Sequence, residues 1–144
     1  LAWRGVRRGV AGASAVASTL LFASVTVLVG GLVPVAVKAI VDRPRPAGAL
    51  VDALQSSFPS SHAFGAATAA LVVVTVTKGC LARATHRWLA AVGCALVVLV
   101  CVARVALAVH YISDVTAGVC LAVVWVCVAR SLWWVLSASS AARA

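Results

Sequence analysis

Acidic residues are almost missing from this 144-residue chain. Asp42, Asp52 and Asp114 stand against 12 lysines and arginines, for a formal net charge of +9. Charge of either sign is scarce, at 10% of residues where soluble domains carry about 25%. A soluble fold of this length cannot hide a composition that is 64% hydrophobic, with a mean hydropathy of +1.12. The composition therefore places the chain in a lipid bilayer. No C-x-x-C pair occurs among the five cysteines, which excludes the common zinc and redox frameworks. No repeat or low-complexity linker divides the chain, so residues 1–144 read as one membrane-embedded domain. The Arg-rich start and the apolar run after it do not make a cleavable signal, because that run is too long and continues into Lys38 without a cleavage site. The first residue is Leu1 rather than Met, which reads as a fragment or as a start codon translated literally.

What is present is apolar and long. We expect an all-α, polytopic transmembrane helix bundle of about four spans. They cover Val10 to Val37, Ser61 to Thr77, Trp88 to Val109 and Val115 to Leu136. Each suffices for a hydrocarbon core of about 30 Å, the second only just. Gly30, Gly31 and Pro34 are placed to bend the end of the first span, and Trp88, Trp133 and Trp134 lie near span ends, where aromatic belts form. Valine-rich runs also suit buried strands, but these runs exceed the usual strand length of about 10 residues. Cys94/Cys101 and Cys120/Cys127 are spaced seven apart, so each pair shares a helix face, as small packing residues between helices would.

The cations gather at segment ends rather than in a stripe interleaved with aromatics, which argues against a nucleic-acid partner and for topology signals. Arg4, Arg7 and Arg8, the loop from Lys78 to Arg87, and the tail with Arg130 and Arg143 all go to the cytoplasmic side on this rule. Both termini are then cytoplasmic. The Asp42–His62 loop and the His110–Asp114 segment share the opposite, extracytoplasmic face.

That face carries most of the polar chemistry of the chain. Lys38 and Arg45 flank a Pro44/Pro46 break and together suit a phosphate dianion, although either alone reads first as a snorkelling residue. Arg43 is read as a snorkelling surface charge that Asp42 can pair. Ser60 and Ser61 cap the second span, where free N–H groups make an anion site, and His62 follows at the edge of a water-excluding region. An imidazole there can protonate a leaving oxygen. His110 and Asp114 are spaced i, i+4, so the carboxylate can fix one ring nitrogen and free the other to attack. Arg104 lies six residues before His110, about 120° away on an ideal helix, and no Gly or Pro between them marks a break. The two converge only where the backbone leaves the helix. His86 sits in a basic loop and is given neither partner nor chemistry.

At these residues the chain resembles the type 2 phosphatidic acid phosphatases, the membrane lipid phosphate phosphatases, in their membrane-integral bacterial form. The family pattern is K-x6-R-P, then P-S-G-H, then S-R-x5-H-x3-D. Lys38 to Pro46 matches the first element, Pro59 to His62 the second with Ser61 in place of glycine, and Arg104, His110 and Asp114 the third with Ala103 in place of serine. The resemblance implies a phosphatase without metal or other cofactor. Its substrate would be a lipid phosphate or diphosphate: a polyprenyl diphosphate, phosphatidic acid or phosphatidylglycerol phosphate. His110 would be the nucleophile that becomes phosphohistidine, Asp114 its orienter, and His62 the acid and then the base. Lys38, Arg45, Arg104, Ser60 and Ser61 would hold the phosphoryl oxygens. The implied setting is a bacterial plasma membrane. Family members commonly have about six spans, so the chain reads as one lacking the first two. The competing reading is a catalytically inactive relative acting as a non-enzymatic membrane protein. Haloperoxidases that bind vanadate share the anion-site residues, but they are soluble, unlike this composition.

Overall fold

Helix is the only regular structure among the described residues, as the long valine- and alanine-rich runs require, since lipid leaves no other partner for backbone N–H and C=O groups. The computed structural model describes residues 2–50 and 56–141, with side chains from 12–50 and 56–139. The side chains of Arg4, Arg7, Arg8, Asp52 and Arg143 fall outside that set. Five helices follow in order: α1 Ala2–Gly30, α2 Leu32–Val41, α3 Ser61–Thr77, α4 Arg83–Ala106 and α5 Ile112–Ala141. Three stretches are long and apolar enough to cross a membrane: Gly12–Val41, Arg83–Ala106 and Ile112–Ser139, and α3 is a shorter apolar helix.

The first span is interrupted where glycine and proline said it would be. It breaks at Gly31 and resumes as α2, with Pro34 on the first turn, where a missing N–H costs nothing. It then runs to Val41, past the expected Val37. Asp42 ends α2 in a left-handed conformation, φ 41°, with its N–H returned to the Lys38 carbonyl. The second span has the expected bounds, because the Ser60 hydroxyl accepts from the Ala63 N–H and so caps α3.

α3 is the centre of the bundle. It packs against α5 and α4, and also against α1. Its buried side chains are Ala63, Phe64, Ala67, Thr68 and Val72, and Phe64, Ala67 and Ala122 form the core with Val33, Val97, Val119, Leu121 and Trp125 around them. Such small residues let helices approach closely in lipid. One close approach is at Gly118 of α5, where a Cβ would stand 2.7 Å from the Ser60 carbonyl oxygen. Trp125 ties α5 to α1 by donating from Nε1 to the Thr26 carbonyl at 2.8 Å. Phe22 and Trp133 also meet there, with ring centroids 5.6 Å apart.

α4 buries none of its residues, and Trp88, Val92, Leu96, Val98, Leu99 and Val102 are exposed along it. Exposed leucine, valine and tryptophan in such numbers suit lipid as the solvent, and the protein is an integral membrane protein. The cysteine expectation fails. Cys94, Cys120 and Cys127 point out of the bundle, and only Cys101 is half-buried, because alanine and glycine already fill the close contacts. His86 corrects a second expectation. It lies on α4 with Nδ1 3.2 Å from the Thr77 hydroxyl, bridging the ends of α3 and α4.

Candidate active site

The loop between α2 and α3 is pinned to the α4–α5 turn by backbone bonds. Leu50 N–H donates to Leu107 C=O at 3.1 Å, and Ser60 N–H donates to Asp114 C=O at 3.0 Å. Within the loop, Ser57 N–H reaches Arg43 C=O at 2.8 Å and the buried Ser57 hydroxyl reaches Pro44 C=O at 3.0 Å. The Phe58–Pro59 peptide is cis. All three sequence motifs therefore meet at one end of the bundle. The turn from α3 to α4, with Lys78, Arg83 and Arg87 around it, occupies the other end.

Arg104 and His110 come to this end by a backbone departure that no glycine announces. α4 stops at Ala106, Leu107 N–H bonds Ala103 C=O, and Ala108 takes a left-handed φ of 52°. An L-residue rarely holds that conformation, which costs of order 1–3 kcal/mol and persists only where surroundings impose it. Here the turn is fixed from outside: Arg45 Nη1 donates to Val109 C=O at 2.8 Å. His110 thus stands before α5 rather than on it, a correction to the simple helical i, i+4 picture. Its Nδ1 is still 3.5 Å from Asp114 Oδ2. That separation is long for a hydrogen bond, and His110 Nδ1 has no hydrogen-bond partner among the described residues.

Asp114 is fully buried and His110 is 4% exposed. A carboxylate taken out of water needs charge and donors around it. Asp114 Oδ2 accepts from the Tyr111 N–H at 2.9 Å, in the manner of a capping box at the start of α5. Asp114 Oδ1 lies 2.7 Å from Arg43 Nη1. Burial pushes the His110 imidazole below the ordinary value near 6.5, and so do the Arg45 and Lys38 charges; the Ser57 backbone and Asp114 pull upward. His110 is thereby held towards its neutral form.

The anion-binding candidates cluster with uneven burial. Lys38, on the last turn of α2, is buried and donates from Nζ to the Ser56 carbonyl. Ser60 is fully buried, Ser61 is half-buried, and His62 is exposed on the first turn of α3. The charges of Arg104, Arg45 and Lys38 all act on His62, while those of Arg45 and Lys38 also act on His110. Both imidazoles therefore feel the same two cations, Lys38 and Arg45. Arg104 adds a buried Nε that meets no acceptor among the described residues. No three His, Cys, Asp or Glu side chains converge among them into a metal-holding group.

A cavity of about 500 Å³ opens on His110, lined by Arg43, Pro46, Val105, Ala108, Tyr111, Ile112 and Ser113. A second, of about 300 Å³, is lined by Lys38 with Val35, Ala39, Asp42 and Ser56. His62 and Arg104 line neither of these two. Their link to the site is electrostatic.

The sequence pattern of the PAP2 superfamily matches residues 19–137, which include every one of these groups. The chain belongs to the PAP2 superfamily. Among solved structures, this PAP2 chain is similar to one described as the crystal structure of the first transmembrane PAP2 type phosphatidylglycerolphosphate phosphatase from Bacillus subtilis. The TM-score is 0.70 at 25% identity, over 78% of this chain and 57% of that one. The chain thus spans little more than half the length of that relative. No curated protein sequence matches it.

Sequence reasoning missed Arg43 in this PAP2 site. Its expected partner Asp42 is exposed at the α2 C-cap, and Arg43 pairs instead with Asp114. The residue before a proline is steered away from helix, and α2 ends at Val41 short of Arg43. The one available signal was the Arg43–Pro44 dipeptide itself.

Proposed function

We propose that the chain is a membrane phosphatase that hydrolyses lipid phosphates or diphosphates at the extracytoplasmic face, without a metal ion. The observation that carries this reading is the buried His110 with Asp114 Oδ2 3.5 Å from its Nδ1, beside Arg45, which bonds the adjoining Val109 carbonyl. A buried imidazole with a carboxylate and a cation beside it suits nucleophilic displacement at phosphorus, where catalysis is mostly positioning and charge stabilisation.

In this reading the neutral His110 attacks phosphorus, forming an N–P bond as the P–O bond to the lipid breaks. His62 gives its proton to the departing oxygen. Water then adds to phosphorus, losing a proton to His62, and the N–P bond breaks to release inorganic phosphate and restore His110. Asp114 stabilises the imidazolium that forms at His110. Lys38, Arg45 and Arg104, with Ser60, Ser61 and the first N–H groups of α3, hold the phosphoryl oxygens.

The apolar Pro46, Val105, Ala108 and Ile112, lining the same cavity as Arg43 and His110, support an amphiphilic substrate whose head enters while its tails stay in the bilayer. Lys78, Arg83, Arg87 and Arg130 support a cytoplasmic placement of the opposite end. Phosphatidylglycerol phosphate is the first substrate to try, since the similar Bacillus subtilis protein is described as its phosphatase. The test is phosphate release by purified protein, with EDTA present, from phosphatidylglycerol phosphate, phosphatidic acid and a polyprenyl diphosphate. Turnover of at least one is expected. Release from none of the three would overturn the reading.

A further inference from the structure

Asp114 is gripped on both of its oxygens, but by different parts of the chain. Oδ2 faces the Tyr111 N–H at 2.9 Å and His110 Nδ1 at 3.5 Å. Oδ1 faces Arg43 Nη1 at 2.7 Å, and the same Nη1 reaches the Ser113 hydroxyl at 2.7 Å. The guanidinium also lies 4.2 Å over the centre of the Tyr111 ring. One arginine from the α2–α3 loop thus touches Tyr111, Ser113 and Asp114, the residues that surround His110 at the start of α5. Arg43 is itself held at the backbone: its N–H donates to the Ser56 hydroxyl at 2.8 Å and its carbonyl accepts from Ser57 N–H. The pattern K-x6-R-P leaves this position open, so nothing in the motif assigns it a part.

We propose that Arg43 is a positioning residue that fixes the rotation of the Asp114 carboxylate and, through it, the ring of His110. With Oδ1 held by Arg43 Nη1, Oδ2 is left facing Nδ1, the geometry that frees the other nitrogen for attack. This rests on the phosphatase reading above. Arg43 also borders the cavity beside His110, so the competing role is a direct grip on substrate.

The experiment is a double-mutant cycle on the full chain in detergent, with Arg43→Gln, Arg43→Lys, Asp114→Asn and the Arg43→Gln/Asp114→Asn pair. Arg43→Gln is expected to lower kcat by about 10- to 100-fold with KM changed less than about threefold, and Arg43→Lys to recover part of it. In the Asp114→Asn background the same change should cost less than about twofold more. Multiplicative losses, or a raised KM at unchanged kcat, would overturn the proposal. Nitrogen-15 histidine spectra, with the His110 signals identified by their loss in His110→Gln, give a readout apart from turnover. The wild type should carry its proton on Nδ1 and Arg43→Gln should mix the tautomers; an unchanged tautomer would also overturn the proposal. If Arg43→Gln does not fold, Arg43→Lys carries both measurements. If the wild type releases no phosphate, the phosphatase reading fails and the spectra alone decide the role of Arg43.

Discussion

The Ser60 N–H donates to the Asp114 carbonyl at 3.0 Å, joining the cap of α3 to the first turn of α5. This bond sets the distance between the segment that carries His62 and the one that carries His110. It forms because Gly118, one turn further along α5, presents no side chain to the Ser60 carbonyl.

Gly118→Ala should therefore separate the two segments. Its Cβ would stand 2.7 Å from Ser60 O, 3.2 Å from Phe64 N and 3.3 Å from Ala63 Cβ, two of them backbone atoms. Overpacking of this kind costs about 1–3 kcal/mol, so the melting temperature falls and phosphate release falls with it. Gly65→Ala, inside α3 with nothing within 4 Å of its Cβ, is the control: it should leave phosphate release unchanged and should not lower the melting temperature, since alanine favours helix.

The pH dependence follows from His110. Burial, then Arg45, lower its folded value below 6.5, so the unfolded chain takes up a proton first as pH falls. The neutral imidazole, and the stability that goes with it, are fully present above pH 6.5 and are lost as pH drops through the lowered value. The acid limb of kcat/KM, which reports the free protein, should accordingly lie below pH 6.5. Arg45→Gln removes one lowering charge, leaving Lys38 against Asp114 and the Ser57 backbone, and should move the limb of the residual activity to higher pH. A profile over pH 5–8 for each protein checks this.

Ser57 is fully buried and holds the loop through its hydroxyl bond to Pro44. Ser57→Ala leaves that carbonyl without its donor and should cost about 1–3 kcal/mol, read as a lower melting temperature. Activity should fall as well, because Arg43 and Arg45 flank Pro44.

How much of this the sequence disclosed depended on whether the cause was local. The Ser60 cap, the Gly31 break and the helical length of the runs are local, and each appears where expected. The meeting of Lys38, Arg45, His62 and His110 followed from span parity and charge bias. Arg43 did not follow, because Asp42 was the nearer partner in sequence and its true partner lies 71 residues away. The turn at Ala108 was hidden for the same reason. Its left-handed backbone is held by a loop bond from Arg45 rather than by a glycine of its own.

The most direct measurement is a rapid-quench reaction with a lipid phosphate labelled at phosphorus, followed by a search for acid-labile, base-stable label on the protein. Label on the peptide containing His110, absent in a membrane-inserted His110→Ala variant that releases no phosphate, is the predicted result. Phosphate release by His110→Ala at the wild-type rate would contradict the account.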